Sequence, residues 1–205
     1  MYVQKEIELL KKEISEMASI AETILDRAIS AAETRDEKII LEVIEMDRRL
    51  DNCEIRMDAH CAEVLALKDP YALDFRFVFS VIKTTRDLER VGDECKTIAK
   101  WSRRLTGDTD PKLIELGRLA REAFHTSVEA LIGLDTELAE KVMKIEERVD
   151  AIEDQIIESS PDLPRAFIAR AFERVSDMAT NIAENVIFSV QAKDVRHGGF
   201  EKSRQ

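Results

Sequence analysis

From Val3 to Ala31 an apolar residue returns every third or fourth position without a miss: Val3, Ile7, Leu10, Ile14, Met17, Ala21, Ile24, Ala28 and Ala31. Steps of three and four keep side chains on one stripe of an α-helix, so this run predicts a helix about 30 residues long that packs along its whole length. The first proline is Pro70 and the first glycine Gly92. Nearly half the chain therefore lacks the residues that tight turns and hairpins need, which excludes a sandwich, a barrel or a Rossmann sheet.

The pattern continues. Thr34, Arg35 and Asp36 break the first helix, and Asp36 is suited to cap the next one. A second seam runs Val43, Met46, Leu50, Cys53, Met57, His60, Val64 and Leu67 and stops at Asp69-Pro70. A third runs Phe77, Val81, Thr84, Leu88, Val91, Cys95, Ile98 and Leu105, and stops at Thr106-Gly107-Asp108. After this turn three shorter seams follow: Leu113 to Ala130, Leu138 to Ile156 and Ile168 to Val186. Short turns between long helices predict antiparallel neighbours. The expected fold is all-α: two tandem antiparallel three-helix bundles, over residues 1–106 and 110–195, with residues 196–205 as a flexible tail.

The two halves match in sequence. Arg86-Asp87-Leu88-Glu89-Arg90-Val91-Gly92-Asp93 in the third helix corresponds to Arg170-Ala171-Phe172-Glu173-Arg174-Val175-Ser176-Asp177 in the sixth. Asp47-x-Arg49-Leu50-Asp51-x-x-Glu54 in the second corresponds to Glu146-x-Arg148-Val149-Asp150-x-x-Glu153 in the fifth. Asp51 and Glu89 lie 38 residues apart, but Asp150 and Glu173 only 23, so the second bundle should be about two turns shorter in each of two helices.

Each matched string holds an acid-x-x-x-acid pair. On a helix, positions i and i+4 share a face, so two packed helices would present four carboxylates together. Oxygen-only clusters of this kind bind cations such as Mg, Mn, Ca or Fe. Asp47 and Asp51 flank their apolar seam, as do Glu89 and Asp93, which predicts a cluster toward the bundle surface. With 42 acidic residues in 205, chance alone gives roughly eight such pairs. From repetition and periodicity alone, a metal cluster and a solvated acidic face stand about even.

The net charge of −11 argues against a nucleic-acid or anionic-membrane surface, both of which call for clustered Lys and Arg. No apolar run approaches the roughly 18 to 20 residues of a membrane span, and no signal-peptide core follows Met1, so a cytoplasmic protein is expected. Cys53, Cys61 and Cys95 fall inside helical patterns and read as buried free thiols. Cys53, Cys61 and His60 as soft metal ligands are the lesser reading, since none has a close CxxC or HxxxH partner.

At Pro70-x-x-x-Asp74-x-Arg76, Leu88-Glu89-Arg90-x-x-Asp93 and the run Glu173 to Glu184, the sequence resembles the PhoU family of phosphate-uptake and phosphate-signalling regulators. The resemblance covers nearly the whole chain. It implies a metal-binding cytoplasmic adaptor, a negative regulator and not an enzyme, that tends to form a homodimer. The implied partners are the ATPase subunit of a phosphate ABC transporter and a phosphate-sensing histidine kinase. It also implies carboxylate clusters of metal ions, commonly iron or zinc, with manganese or magnesium as other options. Carried over by position, the ligands would be Asp47, Asp51, Glu89 and Asp93 in the first bundle and Glu146, Asp150, Glu173 and Asp177 in the second. Glu54, Glu153 and Asn181 would complete the shells. Departures fall in the first repeat: Glu94-Cys95 where His-Ala is common, Thr97 for Asn, and Lys100 for Glu. Lys100 is expected to compete for nearby carboxylates. Asp74 and Arg76 read equally as a helix N-terminal charge and a solvated arginine.

Two other function classes remain. A carboxylate di-iron enzyme needs Glu-x-x-His on two helices, and among His60, His125 and His197 only His125 follows a Glu, Glu122, at that spacing. A metal-free scaffold serving another transporter is the second alternative.

Overall fold

The computed structural model describes residues 2–159 and 161–193. Six α-helices follow one another: α1 (Tyr2–Thr34), α2 (Glu37–Leu67), α3 (Leu73–Ser102), α4 (Pro111–Gly133), α5 (Thr136–Glu158) and α6 (Leu163–Gln191). There is no strand among the described residues. The tail expected over 196–205 lies outside them.

Aspartates start four of the helices. Asp36, Asp110, Asp135 and Asp162 each accept a backbone N–H from the first turn, at Lys38, Lys112, Glu137 and Arg165 respectively. Each satisfies a donor that the helix itself leaves free, at about 1 kcal/mol per cap. Pro111 and Pro164 occupy first-turn positions, where no N–H is needed. Gly107, with φ 73°, takes the left-handed backbone of the turn before α4.

Helices α1–α3 pack on one another, α4–α6 do likewise, and α1 lies on α4. The most extensive helix pair, however, is α3 with α6. These two run antiparallel: Arg76 Nε donates to the Ser189 carbonyl at 2.8 Å, Ser80 Oγ to the Asn185 carbonyl at 3.1 Å, Arg174 pairs with Glu94, and Trp101 stacks on Phe167. The two groups of three thus share one long seam. Arg76, for which a solvated arginine is one of two readings, is tied across that seam.

The lengths follow the repeat spacing. Helix α2 runs to Leu67, sixteen residues past Asp51, whereas α5 ends at Glu158, eight past Asp150. Helix α3 begins at Leu73, sixteen before Glu89, and α6 at Leu163, ten before Glu173. The missing turns are therefore at the α5–α6 end.

The first, third, fourth and sixth seams are buried almost residue for residue. The second departs from expectation in three places. Asp47 rather than Met46 takes the core position, Cys61 rather than His60 does the same one heptad pair later, and Leu67 is 71% exposed. Leu105 is buried but lies beyond the end of α3. Cys53, Cys61 and Cys95 are free and buried, and burial pushes the Cys61 thiol up to about 12. His60 is occupied by Glu13, 2.6 Å from its Nδ1, and by Glu6. These residues serve the core and a surface ion-pair group.

Candidate metal centres

Two equivalent faces carry the repeated acids. Along α2, Asp47, Asp51 and Glu54 follow at i, i+4 and i+7, and along α5 Glu146, Asp150 and Glu153 do the same. On the facing helices the corresponding runs are Glu89, Asp93, Lys96 in α3 and Glu173, Asp177, Thr180 in α6. One side of each of these four helices is thus committed to the site by the same 3.6-residue period that forms the core.

In the first group, burial pushes Glu89 up to about 7, and the negative charges of Asp93, Glu54, Asp51 and Asp47 add to the rise. Asp47, which was expected at the surface, is 3% exposed. Its Oδ2 lies 2.6 Å from Lys96 Nζ, while Lys96 Nζ also reaches Asp93 Oδ1 at 2.8 Å. One ammonium therefore bridges α2 and α3 between Asp47 and Asp93. Gly92 makes the approach possible, because a Cβ there would meet Leu50 Cδ1 at 2.7 Å and Asp47 Oδ1 at 2.9 Å. Lys100, the lysine expected to compete, is exposed. The signal for Lys96 was in the sequence: it lies seven residues after Glu89 and three after Asp93, on the same face.

In the second group no lysine enters. Burial pushes Glu146 up to about 7, with Asp150, Asp177 and Glu184 adding to the rise and the Thr180 hydroxyl opposing it. Burial likewise pushes Glu173 up to about 7, reinforced by Asp177, Glu153 and Asp150. Asp150 and Asp177 also stand above the usual aspartate range, for the same two reasons of burial and neighbouring acids. At the rim the half-exposed Arg170 reaches Glu173 at 3.3 Å and Glu153 at 3.7 Å. Glu173 Oε2 is buried with no hydrogen-bond partner. Asn181 faces elsewhere: with Lys83, Arg86, Asp87, Arg90 and Asn185 it lines a cleft of about 400 Å³ between α3 and α6.

As the side chains stand, no three Asp, Glu, His or Cys groups among the described residues converge on one point at metal-ligand spacing. Like charges so placed repel one another, and a cation would remove that repulsion. Each group offers carboxylates around a buried oxygen with no hydrogen-bond partner, Asp47 Oδ1 in the first and Glu173 Oε2 in the second, which suits a hard or borderline cation; the second has Arg170 at its rim. In the first, the Lys96 ammonium already stands between Asp47 and Asp93, and a metal ion on those two carboxylates would have to displace it.

No helix among the described residues is long and apolar enough to cross a membrane. The PhoU domain family model matches residues 14–102 and 113–186. The chain is 29% identical to the phosphate-specific transport system accessory protein PhoU of Serratia marcescens, over 95% of this chain and 86% of that one. A PhoU homolog from Aquifex aeolicus is 30% identical, over 96% of each chain. The crystal structure of PhoU from Pseudomonas aeruginosa superposes with a TM-score of 0.84 at 26% identity, covering 93% of this chain and 99% of that one.

Proposed function

This chain belongs to the PhoU family, and we propose that it serves as an accessory protein of phosphate-specific transport, a cytoplasmic adaptor that restrains phosphate uptake and the phosphate-starvation response. In this reading it acts as a homodimer on the ATPase subunit of a phosphate ABC transporter and on a phosphate-sensing histidine kinase. It carries a metal centre and catalyses no reaction. The relatives' role in phosphate transport, read from their names, supports the pathway.

One observation carries the metal centre: four repeat-related carboxylates gather between α5 and α6 around a buried, unpartnered Glu173 oxygen, with no lysine among them. Glu146, Asp150, Glu173 and Asp177 would hold the ion, and Glu153 would complete the shell. A bound iron, zinc or manganese ion would supply positive charge, turning an acidic face toward phosphate or acidic partner side chains. The four carboxylates position that charge on rigid helices, and Arg170 covers the rim. An oxidase-like reading is disfavoured because His125 is engaged 2.6 Å from Glu22 of α1 and pairs with Glu129.

Elemental analysis of the purified protein tests the centre. Replacing Glu173 and Asp177 together by Ala should release the metal while the helical circular dichroism is kept. A protein that takes up no metal under any loading condition would remove the centre from this reading. Deleting the gene should raise a phosphate-starvation reporter in phosphate-rich medium, and unchanged output would favour a scaffold for another transporter.

A further inference from the structure

The two acidic faces are related by the repeat, yet they differ in how their charge is balanced. Thr180 of α6 occupies the place that Lys96 takes on α3, seven residues after Glu173 as Lys96 is seven after Glu89. Lys96 Nζ touches carboxylates of both helices, at 2.6 Å on Asp47 and 2.8 Å on Asp93. Its side chain is 25% exposed and that of Asp47 4%. An ammonium with three donors is a compact point charge, and here it holds the ground that a cation would need.

A divalent ion bound by Asp47 and Asp93 would have to displace this ammonium. The alternative, two cations a few ångströms apart in a partly buried site, is repulsive. Because the lysine is part of the chain, it pays no association entropy and is present at every metal concentration. The other oxygen of Asp47, Oδ1, is buried with no hydrogen-bond partner, so an acceptor stands ready for an ion once the lysine is removed.

We infer that Lys96 is the resident cation of the first acidic face, so that this chain takes up metal at the α5–α6 face and not at the α2–α3 face. The asymmetry rests on the reading of the α5–α6 face as a metal centre; the role of Lys96 can be tested without it.

The probe is Mn²⁺, followed by electron paramagnetic resonance, equilibrium dialysis and thermal melts. In a Glu173→Gln/Asp177→Asn background the protein with Lys96 should bind no Mn²⁺. Adding Lys96→Thr, which copies the second repeat, should create a Mn²⁺ site and raise Tm by about 5–10 °C at metal concentrations about 100 times Kd. Further replacement of Asp47 and Asp93 by Asn should abolish both. Lys96→Gln serves the same purpose if the Thr variant does not fold. The converse change, Thr180→Lys in the otherwise unaltered chain, should remove metal from the α5–α6 face with helicity retained.

Mn²⁺ bound through Asp47 and Asp93 while Lys96 is present would overturn the inference. So would a Lys96→Thr or Lys96→Gln protein that folds but gains no site, or a Thr180→Lys protein that keeps all its metal. An unaltered chain that binds no Mn²⁺ counts against the α5–α6 centre, and the Lys96 variants still decide the first face.

Discussion

The Lys96 ammonium sits 2.6 Å from the buried carboxylate of Asp47, joining α3 to α2 across the first acidic face. Burial raises the Asp47 carboxyl above its ordinary range despite the lysine, while the two carboxylates hold the Lys96 ammonium protonated well above the ordinary lysine range. Removing the lysine leaves the buried Asp47 without its partner, either as an uncompensated charge or as an acid that must take up a proton. In chelator, Lys96→Met should cost about 2 kcal/mol in urea unfolding, below the 3–5 kcal/mol of a fully buried pair because Lys96 is partly solvated. The double variant with Asp47→Asn should recover most of the loss. A Lys96→Met protein as stable as the parent would mean that the pair is energetically idle.

Gly117 of α4 lies where helices meet closely. A Cβ there would stand 2.8 Å from Phe172 Cζ and 3.1 Å from Ile29 Cγ1. The Phe172 ring is fully buried. Gly117→Ala should cost about 1–3 kcal/mol from overpacking, offset by about 1 kcal/mol of helix propensity. The expected net loss is about 1 kcal/mol, read as a Tm decrease of about 2–4 °C. A rise in Tm would show that α4 can shift outward.

Asp87 gives the fold a pH dependence. It is 8% exposed, and burial pushes it up to about 6 against the pull of Arg90, Arg86 and Lys83. A carboxyl whose folded pKa exceeds its unfolded value binds its proton more tightly in the native state. Its contribution is therefore least unfavourable below about pH 4 and costs stability as pH rises toward 6, with the full cost above that. Asp87→Asn should gain on the parent by about 2 kcal/mol between pH 4 and pH 7. Parallel stability curves for the two proteins would contradict this.

Trp101 and Phe167 stack at 4.4 Å between ring centroids and 4° between planes, at one end of the α3–α6 seam. Trp101 is the one tryptophan of the chain, so its fluorescence reports this seam alone. Phe167→Ala should shift its emission to the red and cost about 1 kcal/mol. Unchanged emission would mean that the stack does not shield the indole.

Much of this molecule is legible in one dimension. Steps of three and four dictate six helices, aspartates before the first turns mark where four of them begin, and the unequal distance between matched motifs foretells which helix ends are shorter. The repeat also singles out the eight acidic positions, because helical periodicity puts i and i+4 on one face regardless of what that face meets.

Tertiary structure decided the rest. In α2 the steps Val43–Met46–Leu50 and Val43–Asp47–Leu50 both satisfy the helical period, and hydrophobicity favours Met46. Packing against α3, with Gly92 leaving room and Lys96 supplying the opposite charge, puts Asp47 inside instead. Likewise, periodicity predicts two groups of three helices but not that α3 and α6 would form the longest seam between them. Local pattern sets which residues share a face; which neighbour that face meets, and whether a lysine or a threonine stands among its acids at the point of contact, depends on side chains from helices far apart in the chain.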